Sequence, residues 1–100
     1  MLNIDLVKQG NEGELMMVGE LSVNTAPGAE KIMLETVNRF DRVILNMERL
    51  TYVSSAGLRA LKRANIQMRR KGGTLALKNV TKPVMEVLEL TGFAVLFKII

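Results

Sequence analysis

Apolar residues of this chain recur with two different periods in turn, and glycine and proline fall between the segments. Leu2, Ile4 and Leu6 alternate with Asn3, Asp5 and Val7, which is the period of a half-buried strand. Gln9-Gly10-Asn11-Glu12-Gly13 has turn chemistry. Leu15-Met16-Met17-Val18 reads as a second strand ending near Gly19-Glu20-Leu21. The two strands and their short loop predict a hairpin. Thr25-Ala26-Pro27 predicts a helix start, with a hydroxyl cap and a proline in the first turn. Ala29, Ile32, Met33, Val37 and Phe40 then follow at helical spacing, with Glu30, Lys31, Glu35 and Arg39 mostly on the other side.

Arg42-Val43-Ile44-Leu45-Asn46-Met47 is a short apolar run suited to a central strand covered on both faces. A brief extended piece from Leu50 to Val53 leads to Ser54-Ser55-Ala56-Gly57. Leu58, Leu61, Ala64, Ile66 and Met68 continue this as a second helix, capped by serine and closed by Gly72-Gly73. Thr74 to Leu77 is another strand. Thr81-Lys82-Pro83 starts a third helix, again from a hydroxyl and a proline, with Val84, Val87, Leu88 and Thr91 on one face. Val95 to Ile100 reads as the last strand. The order β-β-α-β-α-β-α-β predicts an α/β fold with a mixed, mostly parallel sheet, an N-terminal hairpin and helices packed on it. With 100 residues, a single domain spanning 1–100 is expected.

Composition removes whole classes of chemistry. The chain has no Cys and no His. Disulfides, thiolate or imidazole metal sites, cysteine nucleophiles and Ser-His-Asp triads are therefore excluded within it. No strand leads into a glycine-rich phosphate loop, because Gly10 and Gly13 sit in the hairpin. Glu20, Asp41 and Glu48 lie near strand ends, but nothing spaces two of them as an acid–base pair. The expectation is a protein that is not an enzyme and needs no cofactor. The N-terminus lacks a basic leader, and no apolar stretch approaches the ~20 residues of a membrane helix. A cytoplasmic protein without membrane contact is expected.

Charge is unevenly placed. Residues 1–50 carry 5 Lys/Arg against 8 Asp/Glu, and residues 51–100 carry 9 against 2. The excess gathers at Arg59, Lys62, Arg63, Arg69, Arg70 and Lys71. Such a stripe is either a solvated helix face or a surface for nucleic acid, an anionic membrane surface or an acidic protein partner. As a nucleic-acid reader it is weak, lacking interleaved aromatics and a paired recognition helix, so no DNA contact is expected and a basic nucleic-acid-binding domain is a distant alternative. The seven methionines read as packing or as an adaptable groove. Met85, Leu90, Phe93 and Val95 would form an apolar docking patch if exposed together.

The segment Leu50 to Leu58 carries the candidate chemistry. A strand-like approach delivers two hydroxyls to a helix N-terminus, where Ser54 or Ser55 would cap free backbone donors. The same N-terminus would stabilise a phosphate on either serine, and Arg59 lies one turn beyond Ser55. Gly57 gives up helix propensity in the first turn, which a close approach of another backbone or of a partner would explain. Capping alone and a phosphorylated switch are both consistent with these residues.

Val43-Ile44-Leu45-Asn46-Met47 followed by Tyr52-Val53-Ser54-Ser55-Ala56-Gly57-Leu58 resembles the signature of STAS domains, named for sulfate transporters and anti-sigma factor antagonists. The family pattern ends a strand in Leu-Asp-Leu and continues Phe-Ile-Asp-Ser-Ser-Gly-Leu. Gly19-Glu20-Leu21-Ser22-Val23-Asn24-Thr25-Ala26 is similar to its Gly-Glu-Leu-Asp-x-x-Thr-Ala. Val87 to Phe93, with Leu96-Phe97, resembles its usual ending. The resemblance implies an anti-sigma factor antagonist. Such a protein binds an anti-sigma factor, often itself a serine kinase, and so releases a sigma factor. Phosphorylation at the position of Ser55, with Ser54 as a neighbouring second hydroxyl, would switch binding off, and a serine phosphatase would reset it. Ser22, Asn24, Thr25, Ser54, Gly57, Leu58, Arg59 and Lys62 would form the partner-binding surface. Ser22, Asn46 and Ser54 replace three aspartates that in phosphorylated members cluster near the target serine. Their loss would ease accommodation of a phosphate, or would remove groups a kinase reads. The alternative within the family is a constitutive scaffold or sensor-complex module, not phosphorylated at Ser55. Self-association is left open.

Overall fold

The alternating apolar residues of the first segment do form an edge strand in the computed structural model, which describes residues 1–100. Strand β1 (Leu2–Gln9) turns at Gly10 and Asn11 into β2 (Glu12–Leu21), antiparallel to it. Helix α1 (Ala26–Arg39), β3 (Arg42–Val53), α2 (Ser55–Arg70), β4 (Thr74–Lys78), α3 (Lys82–Leu90), a 3-10 turn (Phe93–Leu96) and β5 (Lys98–Ile99) follow. The five strands lie in chain order, β1-β2-β3-β4-β5, and every neighbouring pair after the hairpin is parallel. The predicted α/β architecture is thus the observed one.

Side chains of all three helices join one buried cluster with the strands: Met33 and Val37 from α1, Leu61 and Met68 from α2, Val84 and Leu88 from α3, against Leu15, Leu45 and Leu77. Three successive crossovers step in the same direction across the sheet, and right-handed crossovers of that kind place their helices on one face. The expected cover on both faces of β3 is therefore corrected. The other face holds Asp5, Glu14, Met16, Ile44 and Lys78 by register, joined by cross-strand pairs Arg42–Glu12 (3.6 Å) and Lys78–Glu14 (3.9 Å). No helix is long and apolar enough to cross a membrane.

Strand β3 runs unbroken where two separate pieces were expected. Its register against β2 slips twice, between Met16 and Val18 and between Gly19 and Glu20, each time with an extra residue in β3. Two bulges change the burial period: Val43, Leu45 and Met47 are two apart, but Met47, Leu50 and Val53 are three apart. A strand with period three does not look like a strand in sequence.

Three further expectations are corrected. Val95–Ile100 is not a strand: Gly92, at φ 77°, breaks α3 and starts the 3-10 turn, which leaves only Lys98 and Ile99 to pair. Thr81 does not cap α3; its hydroxyl donates to the Leu50 carbonyl at 2.9 Å, fastening the helix start to β3. Ile32 and Ile66 are partly exposed, while Asn65 is buried in α2 and donates to the Leu96 carbonyl at 2.9 Å. Met17, Met33, Met47 and Met68 are buried packing residues.

Candidate functional site

The end of β2 and the start of α2 are held together by one carbonyl. The Ser54 N–H donates to Leu21 O at 2.8 Å. Gly57 then passes so close that a Cβ on it would lie 2.8 Å from the same oxygen and 2.7 Å from Leu21 Cγ. This backbone approach accounts for glycine in the first helical turn. It also sets the loop after β2 beside the α2 N-terminus, so residues more than thirty positions apart share a surface.

That loop is capped by Ser22, not by Thr25 as expected. Ser22 N–H donates to Thr25 Oγ1 (2.8 Å), and Thr25 N–H donates to Ser22 Oγ (3.3 Å). This reciprocal pair is a capping box one turn ahead of α1, with threonine in place of the usual Glu or Gln. The Thr25 hydroxyl donates to Glu20 O at 2.8 Å and caps nothing in α1. At α2 the expected serine cap is present: Gly57 N–H donates to Ser54 Oγ at 3.1 Å.

The two serines therefore differ in what they are free to do. The Ser54 hydroxyl is half-buried and committed to the helix end. Ser55, the first residue of α2, is exposed. The first helical turn leaves backbone donors without intrahelical acceptors, and Ser54 satisfies only that of Gly57. The amides of Ser55 and Ala56 leave the positive end of the helix dipole at the N-terminus where Ser55 stands.

An open groove between α1 and α2 starts at Ala56, the residue after Ser55, and is lined by Val23, Ala26, Pro27, Ala56 and Arg59, with the Glu30–Arg63 pair (2.8 Å) bridging the helices. Arg59 and Lys62 are exposed beside it and enter no ion pair. Of the sequence-predicted surface, Ser54, Arg59 and Lys62 lie on this side, and Ser22 adjoins it through the Leu21–Ser54 bond, whereas Asn24 and Thr25 line a separate groove between α1 and β1. Gly57 and Leu58 are buried, Leu58 at 3% exposure, so they hold the surface from beneath. Val23, 67% exposed, and the α1 residues Pro27 and Glu30 were missed. The one sequence signal for them is an exposed-type valine inside a polar turn. The rest is tertiary placement.

Asn46 is not brought to Ser55. Its side chain is on the helix-free face, where Nδ2 donates to Glu14 Oε2 at 2.9 Å and Oδ1 accepts from Glu48 N–H at 3.1 Å. The expected cluster of three family acidic positions around the serine thus reduces to two, Ser22 and Ser54. The Met85–Val95 patch is partial: Leu90 and Val95 are each 87% exposed, but Met85 and Phe93 are half-buried. The basic stripe also divides. Arg69 donates to Leu96 O, and Lys71 Nζ to Val37 O and Phe40 O, satisfying the end of α1.

The STAS domain profile matches residues 3–100. The chain belongs to the STAS domain family. BtrV of Bordetella bronchiseptica, described as a candidate anti-sigma factor antagonist, is 36% identical over 92 residues, which cover 88% of this chain and 78% of BtrV. A candidate anti-sigma factor antagonist from Thermotoga maritima superposes with a TM-score of 0.89 at 21% identity, covering 96% of this chain and 84% of that one. The phosphorylated form of the Bacillus cell fate determinant SpoIIAA gives 0.74 at 16% identity, covering 100% and 91%. The last two likenesses speak for the fold. In this STAS domain the capped serine pair, the groove and the free arginine occupy one end of α1 and α2.

Proposed function

We propose that this STAS domain is an anti-sigma factor antagonist, and that phosphorylation of Ser55 releases it from its partner. The observation that carries the reading is the division of labour between the two serines: Ser54 Oγ is bound to Gly57 N–H while Ser55 is exposed at the helix N-terminus. A kinase can reach the second hydroxyl without disturbing the cap. The relatives named anti-sigma factor antagonists support the partner class.

The groove beside Ser55 offers apolar contact through Val23, Ala26, Pro27 and Ala56, and positive charge through Arg59 and Lys62. A partner surface with an apolar centre and an acidic rim is complementary, the charges steering encounter more than adding affinity. A phosphate on Ser55 adds about −1.5 to −2 charges and bulk at the edge of that contact. It would meet the α2 amides and Arg59, removing the arginine from the partner and repelling an acidic rim. A loss of ~3–4 kcal/mol lowers affinity a few hundred-fold. The partner is expected to be an anti-sigma factor with serine kinase activity, and a serine phosphatase would restore binding.

Pull-downs from the source cell with wild type, Ser55→Ala and Ser55→Asp test this. Wild type and the alanine variant should retain a kinase-like anti-sigma factor that the aspartate variant loses. Equal retention by all three would make Ser55 a simple helix residue and the protein a constitutive docking module.

A further inference from the structure

Strand β1 offers the only long free edge of the sheet: it pairs with β2 alone, over eight residues without a proline, whereas the opposite edge, β5, has two residues. The hairpin loop fixes which backbone groups are free. Gln9 opposes Glu12 across a two-residue turn, and the pair closing such a turn is hydrogen-bonded. Odd-numbered residues of β1 therefore bond to β2. Leu2, Ile4, Leu6 and Lys8 point their N–H and C=O groups to the open edge.

A groove of mixed polarity runs alongside that edge. Leu2 and Ile4 of β1 and Gly28, Ala29 and Ile32 of α1 line it, with Asn24 and Thr25 at one end, and Ile32 is 38% exposed. An added strand with apolar residues at alternate positions would place them there, while its backbone completes the ladder.

We propose that the occupant is a second copy of this chain, with β1 pairing antiparallel to β1 about a two-fold axis at Ile4, to give one continuous ten-stranded sheet. The strand is self-complementary in this register. Ile4 faces the partner's Ile4, Leu2 faces the partner's Leu6, and Asn3 faces the partner's Asp5. All outward backbone groups from Leu2 to Leu6 are then paired, and every helix-side cross-strand pair is apolar. Shifting the pairing by two residues toward the turn would set Asp5 against the partner's Asp5, and like charges directly opposed disfavour that alternative. A closed two-fold pair also removes the exposed edge. The groove beside Ser55 lies on the opposite flank of α1, between α1 and α2, so both copies keep it free, while Asn24 and Thr25 fall on the dimer side.

Sedimentation velocity of the full chain from about 10 μM to 1 mM tests the proposal, since a monomer is 11.1 kDa. Wild type should move toward twice that mass as concentration rises. Asn3 and Asp5 are exposed, so charge changes there leave the fold intact, as circular dichroism would verify. Asn3→Asp places two like-charge pairs in the dimer and should weaken it roughly tenfold. Asn3→Lys should strengthen it by a similar factor, and Asn3→Asp combined with Asp5→Lys should restore it. A monomer at every concentration overturns the proposal. So does a dimer indifferent to these charges, which would place the contact on another face. Neither result bears on the Ser55 switch, which is read by partner capture.

Discussion

Replacing Gly57 with alanine should destabilise the protein, although the same change in most helices does the opposite. Taken alone, Gly→Ala in a helix gains roughly 1 kcal/mol of propensity. Here the new methyl would sit 2.7 Å from Leu21 Cγ and 2.8 Å from Leu21 O. The leucine side chain has some freedom, but the carbonyl oxygen does not. It accepts the Ser54 N–H at 2.8 Å and belongs to a strand held on both sides. Overpacking of this kind costs about 1–3 kcal/mol, and breaking the Leu21–Ser54 bond to relieve it costs about 1 kcal/mol more. The net expectation is a loss of about 1–3 kcal/mol, read by urea denaturation. For a domain of this size each kcal/mol lowers Tm by about 4–8 °C. Gly28→Ala is the control. It also lies in a helix, and a Cβ there meets nothing within 4 Å, so it should raise stability by up to ~1 kcal/mol. If Gly57→Ala were as stabilising as Gly28→Ala, the reasoning that the α2 start is clamped against β2 would be refuted.

Other expectations follow from the same contacts. Ser22→Ala removes the capping box and should cost about 1 kcal/mol in denaturant unfolding, whereas Asn24→Ala, an exposed loop change, should be near neutral. Asn65→Ala strips a buried amide from the Leu96 carbonyl and opens space in α2. It should cost about 1–3 kcal/mol, and hydrogen exchange should rise first in the 3-10 turn and β5. Asn46→Asp restores the family residue but sets a carboxylate against Glu14, whose oxygen is 2.9 Å from the present amide nitrogen. Like charges raise the folded-state pKa of one carboxyl, so the stability contributed by its protonated form is present in acid and lost as pH rises through that raised pKa. Urea unfolding across pH 3 to 7 should show a deficit against wild type that grows toward neutrality; a deficit that is constant or larger in acid would contradict this.

Much of the fold was legible because local periods and global packing agree. The alternation Leu2, Ile4, Leu6 lies on the helix-covered face as read, and Ser54 caps α2 as its position before an apolar 3.6-residue repeat requires. The misreadings fall where tertiary contacts override local signals. Thr25-Ala26-Pro27 has the composition of a helix start, yet Ser22 provides the cap because the end of β2 draws the Thr25 hydroxyl to Glu20 O. Val95 to Ile100 has strand composition, but the left-handed Gly92 and the Asn65 and Arg69 bonds to Leu96 O hold its first part as a turn. The candidate site was legible in its motif half, Ser54 to Lys62, whereas Asn24 and Thr25, grouped with it by motif, line the groove between α1 and β1. The site's other wall was not legible, because Pro27 and Glu30 carry no pattern, and Val23 only that of a valine in a polar turn, until the Leu21 carbonyl brings the loop against α2. Asn46, grouped with the site by motif, lies on the other face of the sheet because strand residues alternate sides.

The central claim is that an exposed Ser55 hydroxyl at the start of α2 governs release of an anti-sigma factor. The direct measurement is titration calorimetry of the anti-sigma factor encoded by the same genome against this protein, before and after stoichiometric phosphorylation, with mass spectrometry locating the phosphate. The account predicts tight binding before, the phosphate on Ser55, and affinity weaker by two orders of magnitude or more after. Equal affinity of the two forms, or a phosphate on any other residue, would contradict it.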